Sequence, residues 1–127
     1  MKKVLAISVA LLLLAGCASE GKATNMNVLD FSKKIAEPGV VLVDVRTPAE
    51  FMSGHIEGAI NIDFNGSNFE SEISKLSKAD VYAIYCRSGS RSSQAATVMD
   101  NVGFQEVYNL NAGIIDWTNN SMPLVTN

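Results

Sequence analysis

Cys86-Arg87-Ser88-Gly89-Ser90-Arg91-Ser92 is the stretch of this 127-residue chain best equipped for chemistry. A nucleophilic sulfur heads a short polar loop that carries two cations, between an apolar run, Val81-Tyr82-Ala83-Ile84-Tyr85, and a helix-like pattern from about Ser92. The pattern predicts a strand, a tight loop and a helix N-terminus. That arrangement makes an anion cradle, because the first N–H groups of a helix lack intrahelical partners and point, with the positive end of the macrodipole, into the loop. A cysteine there is expected as a thiolate. Free thiol pKa near ~8.5 falls to roughly 3.5–7.5 at helix N-termini or beside Arg, and the thiolate is the attacking form. Arg91 opposes the dipole at a cost of about 0.3–1 kcal/mol, so an anionic partner is expected for it. The polar, Gly-containing flank argues against deep burial of Cys86.

The elements that must position this loop are legible in outline. Val40-Val41-Leu42-Val43-Asp44-Val45 is too uniformly apolar and β-branched for a strand with one wet face, and Val81 to Tyr85 reads the same way. Two such strands separated by helical and loop material imply an α/β fold with a mostly parallel central sheet and crossover helices. In such sheets the ligand crevice lies beyond the carboxyl ends of the strands, where Asp44 to Arg46 and Cys86 to Arg91 stand. A covering helix is expected from Asn27, with Val28, Leu29, Phe31 and Ile35 on its inner face and Pro38-Gly39 as its stop. Thr47-Pro48-Ala49-Glu50 has the form of a capping box with Pro at the first helical position, and this helix ends before Gly54. A short strand follows within His55 to Ile62, and a helix over Phe69 to Leu76. Ala95, Val98, Met99 and Val102 stripe the helix after the loop, which stops at Gly103. Val107 to Leu110 is a last strand, followed by a short helix from Gly113 through Trp117.

The first residues read as a leader. Lys2 and Lys3 precede an apolar run, Val4 to Leu14, which as a helix would span only ~16 Å against roughly 30 Å of hydrocarbon core. Leu14-Ala15-Gly16-Cys17 resembles the lipobox of bacterial lipoproteins. The resemblance implies a signal peptide over residues 1–16, lipidation of Cys17, a lipidated tether over residues 17–25, and a folded domain over residues 26–127. It also implies an extracytoplasmic, membrane-anchored protein, periplasmic and on the outer membrane where the cell has one, since Ala18 is not the Asp that some lipoproteins use to stay at the inner membrane. Loss of Lys2 and Lys3 leaves eight basic against thirteen acidic residues, moving the formal net charge from -3 to -5. That balance argues against nucleic acid as a partner. With Cys17 lipidated, Cys86 is the lone remaining thiol and no intrachain disulfide can form.

Taken in order, Asp44-Val45-Arg46, Glu50, Gly54-His55-Ile56, Gly58-Ala59, Asn61, the Cys86 loop, and Gly113 with Trp117 and Pro123 resemble a single-domain rhodanese from about Asn27 to Leu124. The chain departs from the common pattern in having Glu57 where many members have Pro, and Ala112-Gly113 where many have Gly-Gly. The resemblance implies a rhodanese-like α/β fold, a sheet of about five strands with helices on both faces, and sulfur transfer. In that reaction Cys86 takes the sulfane sulfur of a small anionic donor such as thiosulfate, holds it as a persulfide, and passes it to cyanide or a thiol. The implied substrate-binding residues are Arg87, Ser88, Gly89, Ser90 and Arg91. Their backbone N–H groups would stabilise thiolate and developing charge, and their two guanidinium groups would meet the donor, with Arg91 preferred over Arg87. No cofactor or metal and no second subunit is expected.

Around the loop the expected roles are structural. Asp44 accepts hydrogen bonds from neighbouring N–H groups, Arg46 pairs with Glu50 across the helix start, and Asp44 and Arg46 together support the active loop. His55, a lone histidine, makes no metal set and serves a turn. Two other readings exist. Cysteine phosphatases use a similar strand, loop and helix, but with five residues between Cys and Arg, whereas four separate Cys86 from Arg91. A membrane-tethered persulfide carrier or partner-binding module without turnover is the second.

Overall fold

The computed structural model describes residues 23–127. The leader and Cys17 lie outside that range. Five strands, β1 (Thr24–Met26), β2 (Val40–Asp44), β3 (Ile60–Asn61), β4 (Val81–Tyr85) and β5 (Glu106–Leu110), form one sheet in the order β1-β5-β4-β2-β3. Every neighbouring pair is parallel, with Asp44 beside Tyr85 and Ile84 beside Asn109. Five helices complete the domain: α1 (Val28–Ala36), α2 (Pro48–Ser53), α3 (Phe69–Ser74), α4 (Ser90–Asn101) and α5 (Gly113–Asn119).

The sheet is buried on both faces, which is why its central strands carry no polar alternation. On one face Val43, Tyr82, Ile84 and Val107 pack with Phe69 and Ile73 of α3 and Ala95, Ala96 and Met99 of α4. On the other, Leu42, Ala83, Tyr85 and Leu110 pack with Val28 and Phe31 of α1 and Ile114 and Trp117 of α5. The fold class and five-strand sheet read from sequence are therefore as expected. Fully burying a Phe or Ile side chain is worth about 1.5–3 kcal/mol, so these two layers supply the driving force for the fold.

The chain from β2 leaves toward β3, while the chain from β4 leaves toward β5 on the other side. Adjacent β2 and β4 therefore mark the switch point where an α/β sheet opens a crevice. The helix that follows each strand, α2 or α4, borders that crevice.

Three details differ from the sequence reading. Thr24 and Asn25, assigned to the tether, belong to β1. Asn109 Nδ2 donates to Asn25 Oδ1 at 3.0 Å, and Ala23 N donates to Asp100 Oδ2 at 2.8 Å. A three-residue polar edge strand is held by backbone pairing and long-range hydrogen bonds, which leave no hydropathy pattern. Leu29, placed on the inner face of α1, is 65% exposed. The buried face is carried by Val28 and Phe31, with Asn27 accepting from Asp30 N at 2.8 Å as N-cap. Val102 is also exposed, because α4 stops at Asn101 and the chain turns there, with Phe104 N donating to Met99 O at 3.1 Å.

Candidate active site

Cys86 directly follows β4, and its sulfur sits inside the turn that begins α4. Gly89 N donates to Sγ at 3.0 Å and the Ser92 hydroxyl lies 3.3 Å from it. The residue is only 1% exposed, contrary to the expectation of an open thiol. The polar flank describes where the side chains point: Arg87, Ser88 and Ser90 are exposed, while the backbone between them folds over the sulfur. Burial pushes the Cys86 thiol pKa up. The Ser92 hydroxyl and the N–H groups of Ser92, Gly89 and Ser88 outweigh it and hold the thiol below its ordinary value. The N–H groups at the start of α4, which has no side-chain cap, thus serve the sulfur.

The loop can aim its N–H groups inward because its carbonyls are held outside. Ile114 N donates to Cys86 O at 2.9 Å and Ile115 N to Arg87 O at 3.1 Å. The first turn of α5 therefore satisfies its own orphan donors on the loop. The approach leaves no room for side chains at two positions. At Gly89, in the left-handed region at φ 103°, a Cβ would stand 2.0 Å from Asn111 O. At Gly113, at φ 68°, it would stand 2.3 Å from Arg87 O. Gly89 belongs to the loop motif of the sequence, whereas the matching turn Asn111-Ala112-Gly113 enters the site only through the fold.

The two ion pairs at the crevice are not the one expected from sequence. Arg46 pairs with Asp44: Nη2 to Oδ2 is 2.7 Å, Nε also faces the carboxylate at 3.0 and 3.1 Å, and Arg46 N donates to Oδ1 at 2.9 Å. Asp44 is fully buried and Arg46 nearly so. Arg46 Nη2 also donates to Gly54 O at 2.7 Å, fixing the end of α2. Asn61 Nδ2 bridges the carbonyls of Asp44 and Arg46 at 3.0 and 2.8 Å. Asp44 thus accepts a neighbouring N–H as expected, and the pair supports the turn that carries α2. Below it, Tyr85 Oη accepts from Ile56 N at 3.0 Å, and burial beside Asp44 keeps its phenol protonated.

Glu50 instead reaches α4. Arg91 Nη1 and Nη2 donate to its two carboxylate oxygens at 2.7 and 2.9 Å. Thr47 Oγ1 and Thr47 N share Oε1 at 3.1 and 3.3 Å, closing the capping box. Arg91, aided by Thr47, pulls the Glu50 carboxyl down to about 2 although partial burial opposes it. Glu50 is the anionic partner that a cation in the first turn of α4 called for. Arg46 is engaged instead by Asp44 and Gly54 O, through Nε and Nη2.

The same geometry reorders the two loop arginines. Arg91, preferred from sequence, has both terminal nitrogens engaged by Glu50. Arg87 is exposed and makes no ion pair among the described residues. His55 serves its turn as expected: Nδ1 lies 2.9 Å from Phe51 O, its ring stacks on Phe51 at 3.7 Å, and its backbone bridges to Val125. Among the described residues no three His, Cys, Asp or Glu side chains gather as a metal-binding group. Ser92 and Glu50 are the side chains that sequence reasoning left off the site. Ser92 lies inside the loop motif, and the charge of Arg91 at the start of a helix calls for an anion without naming which.

Comparison with known proteins agrees with this architecture. The sequence profile of the rhodanese-like domain matches residues 27–120. A sulfurtransferase from Allochromatium vinosum is 38% identical over 95 residues, covering 74% of this chain and 87% of that protein. Thiosulfate sulfurtransferase 18 of Arabidopsis thaliana is 32% identical over 123 residues, covering 86% and 90%. The crystal structure of a rhodanese-related protein from Thermoplasma volcanium superposes with a TM-score of 0.73 at 27% identity, covering 82% of this chain and 99% of that one. The chain belongs to the rhodanese-like domain family.

Proposed function

We propose that this rhodanese-like chain is a sulfurtransferase that carries sulfane sulfur as a persulfide on Cys86. The observation that carries the reading is a buried thiol with hydrogen-bond donors directed at it, Gly89 N and the Ser92 hydroxyl, in a family with sulfurtransferases among its members. Sγ attacks the outer sulfur of a donor such as thiosulfate, the donor's S–S bond breaks, and its electron pair departs with sulfite. The new terminal sulfur takes the negative charge, and the loop N–H groups that held the thiolate stabilise it in turn. A thiol or cyanide acceptor then removes that sulfur and returns the Cys86 thiolate. Charge is conserved at each step, and neither half-reaction needs a cofactor or a metal. The four-residue spacing to Arg91 leaves a ring that closes on one sulfur atom, which disfavours phosphate esters.

The placement of the enzyme is part of the same proposal: anchored through lipid on Cys17 at the extracytoplasmic face of a bacterial membrane, and working as a monomer. The lipobox-like Leu14-Ala15-Gly16-Cys17 supports it, since two or more acyl chains give stable anchoring. Metabolic labelling with a fatty acid, lost in Cys17→Ser, checks it.

The experiment for the activity is the intact mass of the soluble domain, pre-reduced, before and after thiosulfate. A gain of one sulfur atom, absent in Cys86→Ser and discharged by cyanide or a thiol, is expected. Phosphate-ester turnover that depends on Cys86, with no sulfur gain, would overturn the reading. Sulfur that loads but is discharged to no small acceptor would favour the carrier role.

A further inference from the structure

Five polar or charged side chains are buried among the described residues: Asp44, Arg46, His55, Ser92 and Asn109. The first three hold the turns after β2 and α2, and Ser92 reaches the sulfur. Asn109 is left without a role. It lies on β5, between β1 and β4, two residues beyond Val107 and so on the sheet face that α4 covers. It stands in register with Ile84, two residues before Cys86, and all three side chains share that face. Asn109 Nδ2 donates to Asn25 Oδ1 at 3.0 Å, but its own Oδ1 has no donor among the described residues. An aliphatic side chain would spare the fold a buried, half-satisfied amide. Stability alone does not account for the residue.

The one bond that Asn109 makes supplies what β1 lacks. Thr24-Asn25-Met26 is three residues long with two of them exposed, and so short and polar a strand specifies its register weakly. A buried Asn can fix register at a cost in stability, as it does between coiled-coil helices. Asn25 and Asn109 are register partners, so their side-chain bond belongs to one alignment and any slip parts them. In that alignment Met26 O accepts from Asn111 N at 3.0 Å. Asn111 O in turn lies against Gly89, where a Cβ would stand 2.0 Å from it. Gly89 N then donates to Cys86 Sγ at 3.0 Å. Ala23 N, at the head of β1, donates to Asp100 Oδ2 at 2.8 Å, so the strand is bonded to α4 as well as to β5.

We infer that Asn109 is a positioning residue for the chemistry of Cys86: it pins the register of β1 through Asn25, and β1 thereby holds Asn111 against Gly89 and keeps the Gly89 N–H on the sulfur. Asn109 acts through these contacts and touches neither the sulfur nor a substrate. The contacts run in series, so loosening the first slackens the last. The inference rests on the sulfurtransferase reading above and adds Asn25 and Asn109 to the residues that serve it.

The test compares Asn109→Leu, Asn25→Ala and Asn25→Asp in the full chain, purified in detergent. Two quantities are measured: the iodoacetamide rate at Cys86 against pH, followed by peptide mass, and the rate of sulfur loading from thiosulfate. Asn109→Leu should resist urea at least as well as the wild type. Its alkylation midpoint should nevertheless move up, and its alkylation at neutral pH and its loading rate should fall about 3–10-fold, the scale of one hydrogen bond partly lost. Asn25→Ala, a change on an exposed edge strand, should do the same, and it carries the test should Asn109→Leu not fold. Asn25→Asp keeps an acceptor for Asn109 Nδ2. In high salt, where its added charge is screened, its midpoint should stay with the wild type. Midpoints unmoved in Asn109→Leu and Asn25→Ala, whatever their melting temperatures, would make Asn109 a purely structural residue and overturn the inference. An Asn25→Asp midpoint that follows Asn25→Ala would overturn it too. Absence of loading in the wild type would sink the sulfurtransferase reading, while the alkylation midpoints would still decide the role of Asn109.

Discussion

The exits of β2 and β4 lie side by side at the crevice, and both run from strand through a tight turn into a helix, yet they are stabilised by different physics. At the end of β2, Asp44 and Arg46 close on each other two residues apart, out of water, and the turn is held by charge. At the end of β4 the backbone does the holding. Loop carbonyls go to α5, loop N–H groups go to Cys86, and two glycines let the chains touch. The charged pair that belongs to this second exit, Glu50 with Arg91, is long-range and partly wet. A turn that only has to hold its shape can bury its charges against one another. A turn that must present a reactive sulfur has to leave its N–H donors unspent, so its own charges are balanced from outside.

The comparison breaks first at Arg46. Arg46→Ala leaves the Asp44 carboxylate buried and unpaired, and urea unfolding should show a loss of about 3–5 kcal/mol. A loss under about 1 kcal/mol would mean that the β2 exit does not depend on its ion pair. At the other exit the corresponding change is Gly89→Ala. Its cost of about 1–3 kcal/mol in backbone strain should be accompanied by loss of Cys86 alkylation, because the new Cβ must push the loop off Asn111. Retained alkylation with a lowered melting temperature would show that the loop tolerates the shift.

Ser92→Ala separates sulfur activation from folding. A hydrogen bond to a charged group is worth about 1.5–3 kcal/mol. The iodoacetamide rate at neutral pH should therefore fall about tenfold and the midpoint of its pH profile should move up, and an unmoved midpoint would assign the activation to backbone N–H groups alone. The smallest effect is expected at Glu50, about 0.5–1 kcal/mol for a part-exposed pair, and its sign with pH is defined. The Glu50 carboxyl falls from an ordinary 4.5 to about 2 on folding, so its contribution is whole above about 4.5 and is lost as pH drops toward 2. The melting-temperature gap between the wild type and Glu50→Gln should narrow over that window. A gap constant from pH 6 to 2.5 would mean the pair adds nothing to stability.

Much of this was legible in the linear chain because it is locally encoded. The apolar runs of β2 and β4 declare a sheet buried on both faces. The capping box at Thr47 and Glu50 lies within four consecutive residues, and the cysteine after a strand and before a helix announces its N–H donors. Even the need for an anion near Arg91 followed from the dipole of a helix that had only been inferred.

What the tertiary structure alone decided is who partners whom. Arg46 had two carboxylates at short range in sequence, Asp44 and Glu50, and only the fold, which sets the start of α2 within reach of the first turn of α4, turned Glu50 toward Arg91, 41 residues away. The burial of Cys86 could not be read from its polar neighbours, because side-chain polarity reports which way those side chains point and not what the backbone covers. The Asn111 to Gly113 turn and the β1 edge strand act through backbone hydrogen bonds. Apart from Gly113, which the close approach to Arg87 requires, those backbone bonds are open to many residue types, so they leave little trace in the sequence until the fold brings the two stretches of chain together.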